Sequence, residues 1–169
     1  MASAAGGPHT DDPLIDELLA LDLLTQHADT GATGDGPGPV ALRARLAEAL
    51  PQSRLCVVRR DARVVAYGMI TTLSPTKWQV SAFTVHPRFR LPRVMRELLA
   101  GMAELIDALQ LDELCCHVHK TNRASVRFHR ALGFAVREES DKAYEFVAPT
   151  AYLLHSPRAQ RLLGGAAPH

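Results

Sequence analysis

Lysine is scarce in this 169-residue chain: it occurs only at Lys77, Lys120 and Lys142, and arginine supplies the rest of the 19 basic residues. Set against 18 acidic residues, this leaves a formal net charge of +1, without the strong basic excess of a general nucleic-acid binder. The arginine bias accompanies many alanines and reads most simply as genomic base composition. Cysteine is scarce too. Cys56, Cys115 and Cys116 are odd in number and show no framework spacing, which argues against a disulfide-stapled secreted domain. No apolar run approaches the ~20 residues needed to span a bilayer. The N-terminal MASAAGGPHTDD has neither a basic n-region nor an apolar h-region, so no secretory signal is expected. What these absences leave is a cytoplasmic protein with neither a membrane nor a nucleic-acid partner.

What is present is ordinary globular composition, with 47% hydrophobic and 22% charged residues, enough for one domain and one core. Residues 1–11 are small and polar and are expected to be disordered. PLIDELLALDLLTQHAD, from Pro13, reads as a helix with Asp11 or Asp12 as N-cap. TGATGDGPGP (30–39) reads as a flexible loop; no Lys-Ser/Thr pair and no preceding strand make it a phosphate cradle. A short helix over Val40–Leu50 stops at Pro51. RLCVVRRDARVVAYGMITTL then reads as a β-hairpin turning at Arg60-Asp61-Ala62, with a bulge expected at Gly68.

A third strand runs from about Trp78 to Val85. The helix after it, Pro92–Leu109, places Val94, Leu98, Met102, Leu105 and Leu109 on one face. Leu114–His119 reads as a strand, and Asn122 offers an N-cap to RASVRFHRAL, which ends at Gly133. Phe134–Glu138 and Ala143–Val147 close the pattern as two strands. The order ααβββαβαββ predicts a mixed α/β sheet with helices on both faces. The tail holds one short helix at Pro157–Leu163 and a disordered end.

The stretch VSAFTVHP followed by RFRLPRVMRELL, and the stretch HVHKTNRASVRFHRALGF with its Leu132-Gly133-Phe134 ending, resemble the core of the GCN5-related N-acetyltransferases (GNAT). They are similar to that family's fourth strand with its following turn and helix, and to its fifth strand with the helix after it. The resemblance implies a GNAT-like mixed, mostly antiparallel sheet flanked by helices, with strands four and five splayed. The implied domain spans 12–148, between the N-terminal segment 1–11 and a tail over 149–169. It also implies acetyl-CoA as cosubstrate, bound in the cleft between the splayed strands, and a small-molecule or peptide amine as acceptor; a homodimer is left open.

Carried over position by position, the cofactor-binding set is Phe83, Val85, Arg90, Arg93, Val94, Met95, Asn122 and Ser125. The family's pyrophosphate turn is arginine/glutamine-x-x-glycine-x-glycine, whereas Arg93 and Met95 occupy both glycine positions here. Glycines serve such turns by letting backbone approach phosphate without a β-carbon between them, and Pro92 removes one further donor. Arg88, Arg90, Arg93 and Arg96 crowd the same turn. Either they recognise phosphate as guanidinium forks or they form a solvated helix start.

The family's strand-four glutamate, its usual general base, aligns with Ser81, which takes no proton near neutral pH. Its helix-four tyrosine, a frequent general acid, aligns with His129. Ser81 and His129 are therefore the implied catalytic positions. An imidazole of pKa about 6.5 at His129 can protonate the departing thiolate or accept a proton through water, unless it merely packs in the helix. Asn122 either binds pantetheine or caps the helix, and Ser125 either backs the cofactor or serves as a small contact residue. Cys115, His117 and His119 share one strand face, but neighbours two apart are separated by about 6.8 Å. No metal site is therefore expected, although either histidine can serve as a base. The sequence reads as an acyl-CoA-dependent N-acyltransferase working by direct transfer. The alternatives are a silent GNAT-like binding or regulatory domain, or an acyltransferase fed by a carrier-protein thioester.

Overall fold

A computed structural model describes residues 12–30 and 37–163. The segments expected to be disordered at 1–11 and at the end of the tail, and the middle of the glycine-rich loop (31–36), lie outside the described residues.

Helix α1 (Pro13–Thr30) starts where the Asp12 carboxylate accepts the Leu14 N–H at 2.9 Å, an N-cap that satisfies a donor the helix cannot. Helix α2 (Pro39–Ala49) runs into a single 3₁₀ turn over Leu50–Gln52, which absorbs Pro51. The hairpin follows as β1 (Ser53–Arg60) and β2 (Arg63–Ser74). Its two-residue turn uses Asp61 and Ala62 with φ of 48° and 64°, so ordinary residues adopt the left-handed conformation that Asn-Gly would supply. Strand β3 (Lys77–Val85) is antiparallel to β2. The remaining elements are α3 (Pro92–Leu109), β4 (Glu113–His119), α4 (Arg123–Leu132), β5 (Ala135–Glu139), β6 (Ala143–Pro149), α5 (Thr150–His155) and α6 (Pro157–Leu163). Of these, α5 is not foreseen from the sequence, because its six residues are too few for a periodic signal.

The six strands form one sheet in the order β1-β2-β3-β4-β6-β5, antiparallel except between β3 and β4. Those two strands pair only at Gln79 and Cys115 and then part. They are the family's strands four and five, and the expected splay is present.

Two clusters of buried side chains sandwich the sheet. On one face Ile15, Leu18 and Leu21 of α1 and Leu46 of α2 pack on Tyr67 and Met69 of β2. On the other, Val94, Leu98, Met102 and Ile106 of α3 meet Ile70, Val85, Leu114 and Phe146, with Leu153 and Leu154 of α5 against them. The expected bulge is displaced from Gly68. Met69 pairs with Ala82 and Ile70 with Val80, so the unpaired residue is Ser81 on β3. Gly68 serves packing instead. A β-carbon there would collide with the thioether of Met102, so its absence lets α3 lie close to the sheet.

Gly133 ends α4 at φ 102°, and a β-carbon there would also meet the Tyr152 ring. Backbone conformation therefore predicts opposite outcomes at two turns. Ala62→Gly should stabilise the protein by about 0.5–1 kcal/mol by relieving a left-handed alanine, and Gly133→Ala should destabilise it by more than about 1 kcal/mol. Urea denaturation of the two variants checks both signs.

Candidate active site

The passage from β3 into α3 is held by short-range bonds. His86 N–H donates to Val65 at 2.8 Å, the His86 ring accepts the Arg88 N–H at 3.1 Å, and Phe89 N–H returns to His86 at 2.8 Å. Leu91 then stands before Pro92 without a side-chain cap. Met95 N–H is already bonded to the Leu91 carbonyl at 3.0 Å. Since Pro92 has no N–H, the donors left at this helix start are those of Arg93 and Val94. The turn adopts no left-handed residue, so glycine is not required for its conformation, only for closeness of approach.

Beyond Gln79 one edge of β3 has no strand partner among the described residues, and its N–H and C=O groups face the opening. That opening is a cleft of about 1000 Å³ bounded by Phe83, Val85, Arg90 and Met95 on one side and by the start of α4 on the other. Seven of the sequence-predicted residues meet here: Phe83, Val85, Arg90, Met95, Asn122, Ser125 and His129. Three do not. The Val94 side chain is 2% exposed in the core, Arg93 is exposed outside the cleft, and Ser81 lies on the opposite face of the sheet. There the Ser81 hydroxyl is 2.6 Å from that of Thr71, which is in turn 2.7 Å from Ser53. Thr121, Arg123, Ala124 and Phe128 also line the cleft, and reading the sequence does not single them out. For two of them the signal is helical spacing: Ala124 and Phe128 stand one turn apart on the side of α4 that also carries Ser125 and His129.

Asn122 Oδ1 accepts the Ser125 N–H at 3.1 Å, so its oxygen is engaged in capping α4. One turn on, His129 Nδ1 lies 2.8 Å from the Ser125 carbonyl and 3.2 Å from its hydroxyl. A carbonyl only accepts, so Nδ1 carries the hydrogen and Nε2 keeps its lone pair. The ring stacks on Phe146 at 5.7 Å and meets Phe128 and Phe134 edge-on. Burial in this aromatic nest pushes its pKa below the usual imidazole value, opposed by the bond to Ser125. The surroundings of His129 thus favour the neutral ring, with Nε2 as its unprotonated nitrogen.

On the other face of the sheet, Cys115, His117 and His119 share a side, as alternation requires, but each has a separate partner. Cys115 Sγ is 3.3 Å from the Trp78 carbonyl, His117 Nδ1 is 3.3 Å from Gln79 Oε1, and His119 Nδ1 is 2.6 Å from Thr121 Oγ1. Burial raises the thiol pKa at Cys115 and pushes Cys116 up to about 12, so both remain unreactive thiols. Glu145 is held down at about 2, chiefly by Arg137 at 2.8 Å and also by Lys77 at 3.1 Å. Near the opening, Tyr67 OH donates to the Asp22 carboxylate at 2.7 Å, and Thr84 Oγ1 lies 3.4 Å from it. Burial raises the Asp22 pKa. This long-range contact leaves no mark in the sequence.

A sheet opened between two parallel strands, with a helix start on each side of the opening, is the arrangement that the resemblance to the GNAT fold implies. Residues 23–134 match the family model described as the acetyltransferase (GNAT) family, and the chain belongs to that family. No curated protein is significantly similar in sequence.

Solved structures share the fold. The N-acetyltransferase PaiA of Thermoplasma acidophilum, in complex with coenzyme A, superposes with a TM-score of 0.67 at 11% identity, covering 80% of this chain and 92% of its own. An acetyltransferase of Thermus thermophilus gives 0.64 at 16% identity over 80% and 90%. Ard1 of Thermoplasma volcanium gives 0.61 at 19% identity over 80% and 92%.

The buried imidazole predicts a pH effect on stability. Below pH ~6.5 the unfolded chain binds a proton that the native His129 resists, so its contribution weakens the fold as pH falls. His129→Phe keeps an aromatic ring beside Phe146 and has nothing to protonate. The variant should lose less melting temperature than the wild type between pH 7.5 and pH 5.5, as read by circular dichroism.

Proposed function

We propose that the protein is an acyl-CoA-dependent N-acyltransferase acting by direct transfer to an amine. The observation that carries this reading is the edge of β3 beside His129, left without a strand partner among the described residues, in a cleft whose mouth is set with arginine. In this reading the β3 edge at Phe83 and Val85 bonds the pantetheine amides, and backbone near the Ser81 bulge polarises the thioester carbonyl. The Arg93 and Val94 N–H groups, with the Arg90 and Arg123 guanidiniums, bind the phosphates. Arginine forks here take over part of the backbone recognition that glycines supply elsewhere in the family.

The acceptor enters from the face of α1 and α2. Its nitrogen lone pair attacks the carbonyl carbon, the new C–N bond forms, and the C–S bond breaks with its electron pair leaving on sulfur. His129 enters as a neutral base, so the proton it gives to the thiolate is one it first receives, through water, from the attacking nitrogen. Positioning and electrostatics supply most of the rate, which accords with a serine where relatives hold a glutamate.

Met95 favours a second reading. Its side chain projects into the cleft where the family keeps a glycine, as a binding domain without catalysis would tolerate. Coenzyme A binding is the first test, because the transferase requires it. At a hundredfold excess over Kd, binding stabilises the protein by about 2.7 kcal/mol and raises the melting temperature by several degrees. Replacing Arg90 and Arg123 together with alanine should weaken coenzyme A at least tenfold and flatten its salt dependence. The absence of any shift with coenzyme A or acetyl-CoA would remove the transferase reading. If coenzyme A binds, unchanged turnover in His129→Phe would remove the proton relay and leave the transferase.

A further inference from the structure

Behind the cleft, on the α3 side of the sheet, lies a second and smaller cavity of about 80 Å³. Its walls are Val80 and Phe83 of β3, Met102 and Ala103 of α3, and side chains of α4, α5 and α6; among the described residues His129 is its only polar lining residue. Three residues, Phe83, Phe128 and His129, line both spaces, so the cavity and the cleft share a wall. Val80 immediately precedes Ser81, the residue left unpaired by the β3 bulge, and Phe83 follows two residues on, so this wall borders the stretch of backbone that would polarise a thioester.

We propose that this cavity is an acyl-chain pocket, and that the preferred donor carries a short aliphatic acyl group of about four or five carbons rather than acetyl. The inference rests on the reading of the cleft as a thioester site and adds to it the class of donor. Three observations carry it. First, the walls offer an incoming group almost nothing to hydrogen-bond, and apolar cavities of this kind stay dry and take apolar guests. An aliphatic chain fits that demand; a succinyl or other charged chain would lose its hydration without a partner.

Second, the size is selective. An apolar cavity of about 150 Å³ is large enough for benzene, so about half that volume leaves room for about two or three methylene groups beyond an acetyl. Third, well-packed cores carry few voids larger than water, and this one lies directly against the cleft, behind Phe83, Phe128 and His129. The pocket lies on the α3 side, whereas the acceptor face belongs to α1 and α2, so the acyl chain and the incoming amine do not compete for space.

Isothermal titration with coenzyme A and with its acetyl, butyryl and octanoyl thioesters tests the proposal without requiring an acceptor. Each buried methylene is worth a few-fold in affinity, so butyryl-CoA should bind about tenfold more tightly than acetyl-CoA, and octanoyl-CoA should lose that gain. Ala103→Leu fills the cavity from α3 and should bring the butyryl-to-acetyl ratio close to one; Leu153→Phe fills it from α5 and serves if the first variant is unfolded. If coenzyme A binds but butyryl-CoA is no tighter than acetyl-CoA, the pocket is refuted and the transferase reading stands. A butyryl preference that survives the filled cavity places the chain elsewhere and also refutes it. If none of the four binds, both readings fall.

Discussion

The structure depends on a single inter-strand pairing. Gln79 and Cys115 hold β3 to β4, and past that point the two strands separate. An interrupted sheet leaves backbone donors and acceptors without partners, and such groups must find a ligand or water. The helices on either side make the opening tolerable: α3 and its cluster keep β3 in place from one face, and α1 with Tyr67 and Asp22 does so from the other. The sheet is thus rigid where it is paired and receptive where it is not, and the groups that could bind or react are gathered along the parted edges.

On the proposed reading, the arginine-rich turn meets one physical requirement by different means. Phosphate recognition by bare backbone needs glycine at close range, and Arg93 and Met95 forgo it. Two free N–H groups and several guanidiniums remain at the same place. Charge recognition of this kind acts over a longer distance than a backbone nest and is more sensitive to salt. The proposed proton relay follows the same exchange. With serine where the family has a glutamate, His129 is the buried titratable side chain of the cleft among the described residues, and its aromatic surroundings favour its neutral form.

Much of this architecture is legible in the sequence because it is written in local signals. The 3.6-residue rhythm of Val94, Leu98 and Met102, the Asn122 cap and the Gly133 stop fix α3 and α4 to the residue. The cleft is legible through resemblance, which locates seven of its lining positions. What cannot be read is what depends on distant parts of the chain meeting. A glycine within a strand suggests a bulge at Gly68, because nothing local shows Met102 above it. Alignment alone places Ser81, while its position on the far face of the sheet follows from a one-residue register slip in β3. The Asp22–Tyr67 contact joins residues 45 apart in sequence, and α5 is too short to announce itself.

The C-terminal helices are the feature whose consequence reaches furthest. Thr150 anchors α5 by hydrogen bonds to the carbonyls of Leu111 and Asp112, in the connection between α3 and β4, and Leu153, Leu154 and Ala159 then close the rear chamber. These residues lie after position 134, where the match to the family ends. The family's shared segment and the lid of this chamber are therefore separate stretches of one chain, free to diverge at different rates. On the proposed reading, rewriting about a dozen residues at the end of the chain would change which donor fits without touching the segment that the family shares.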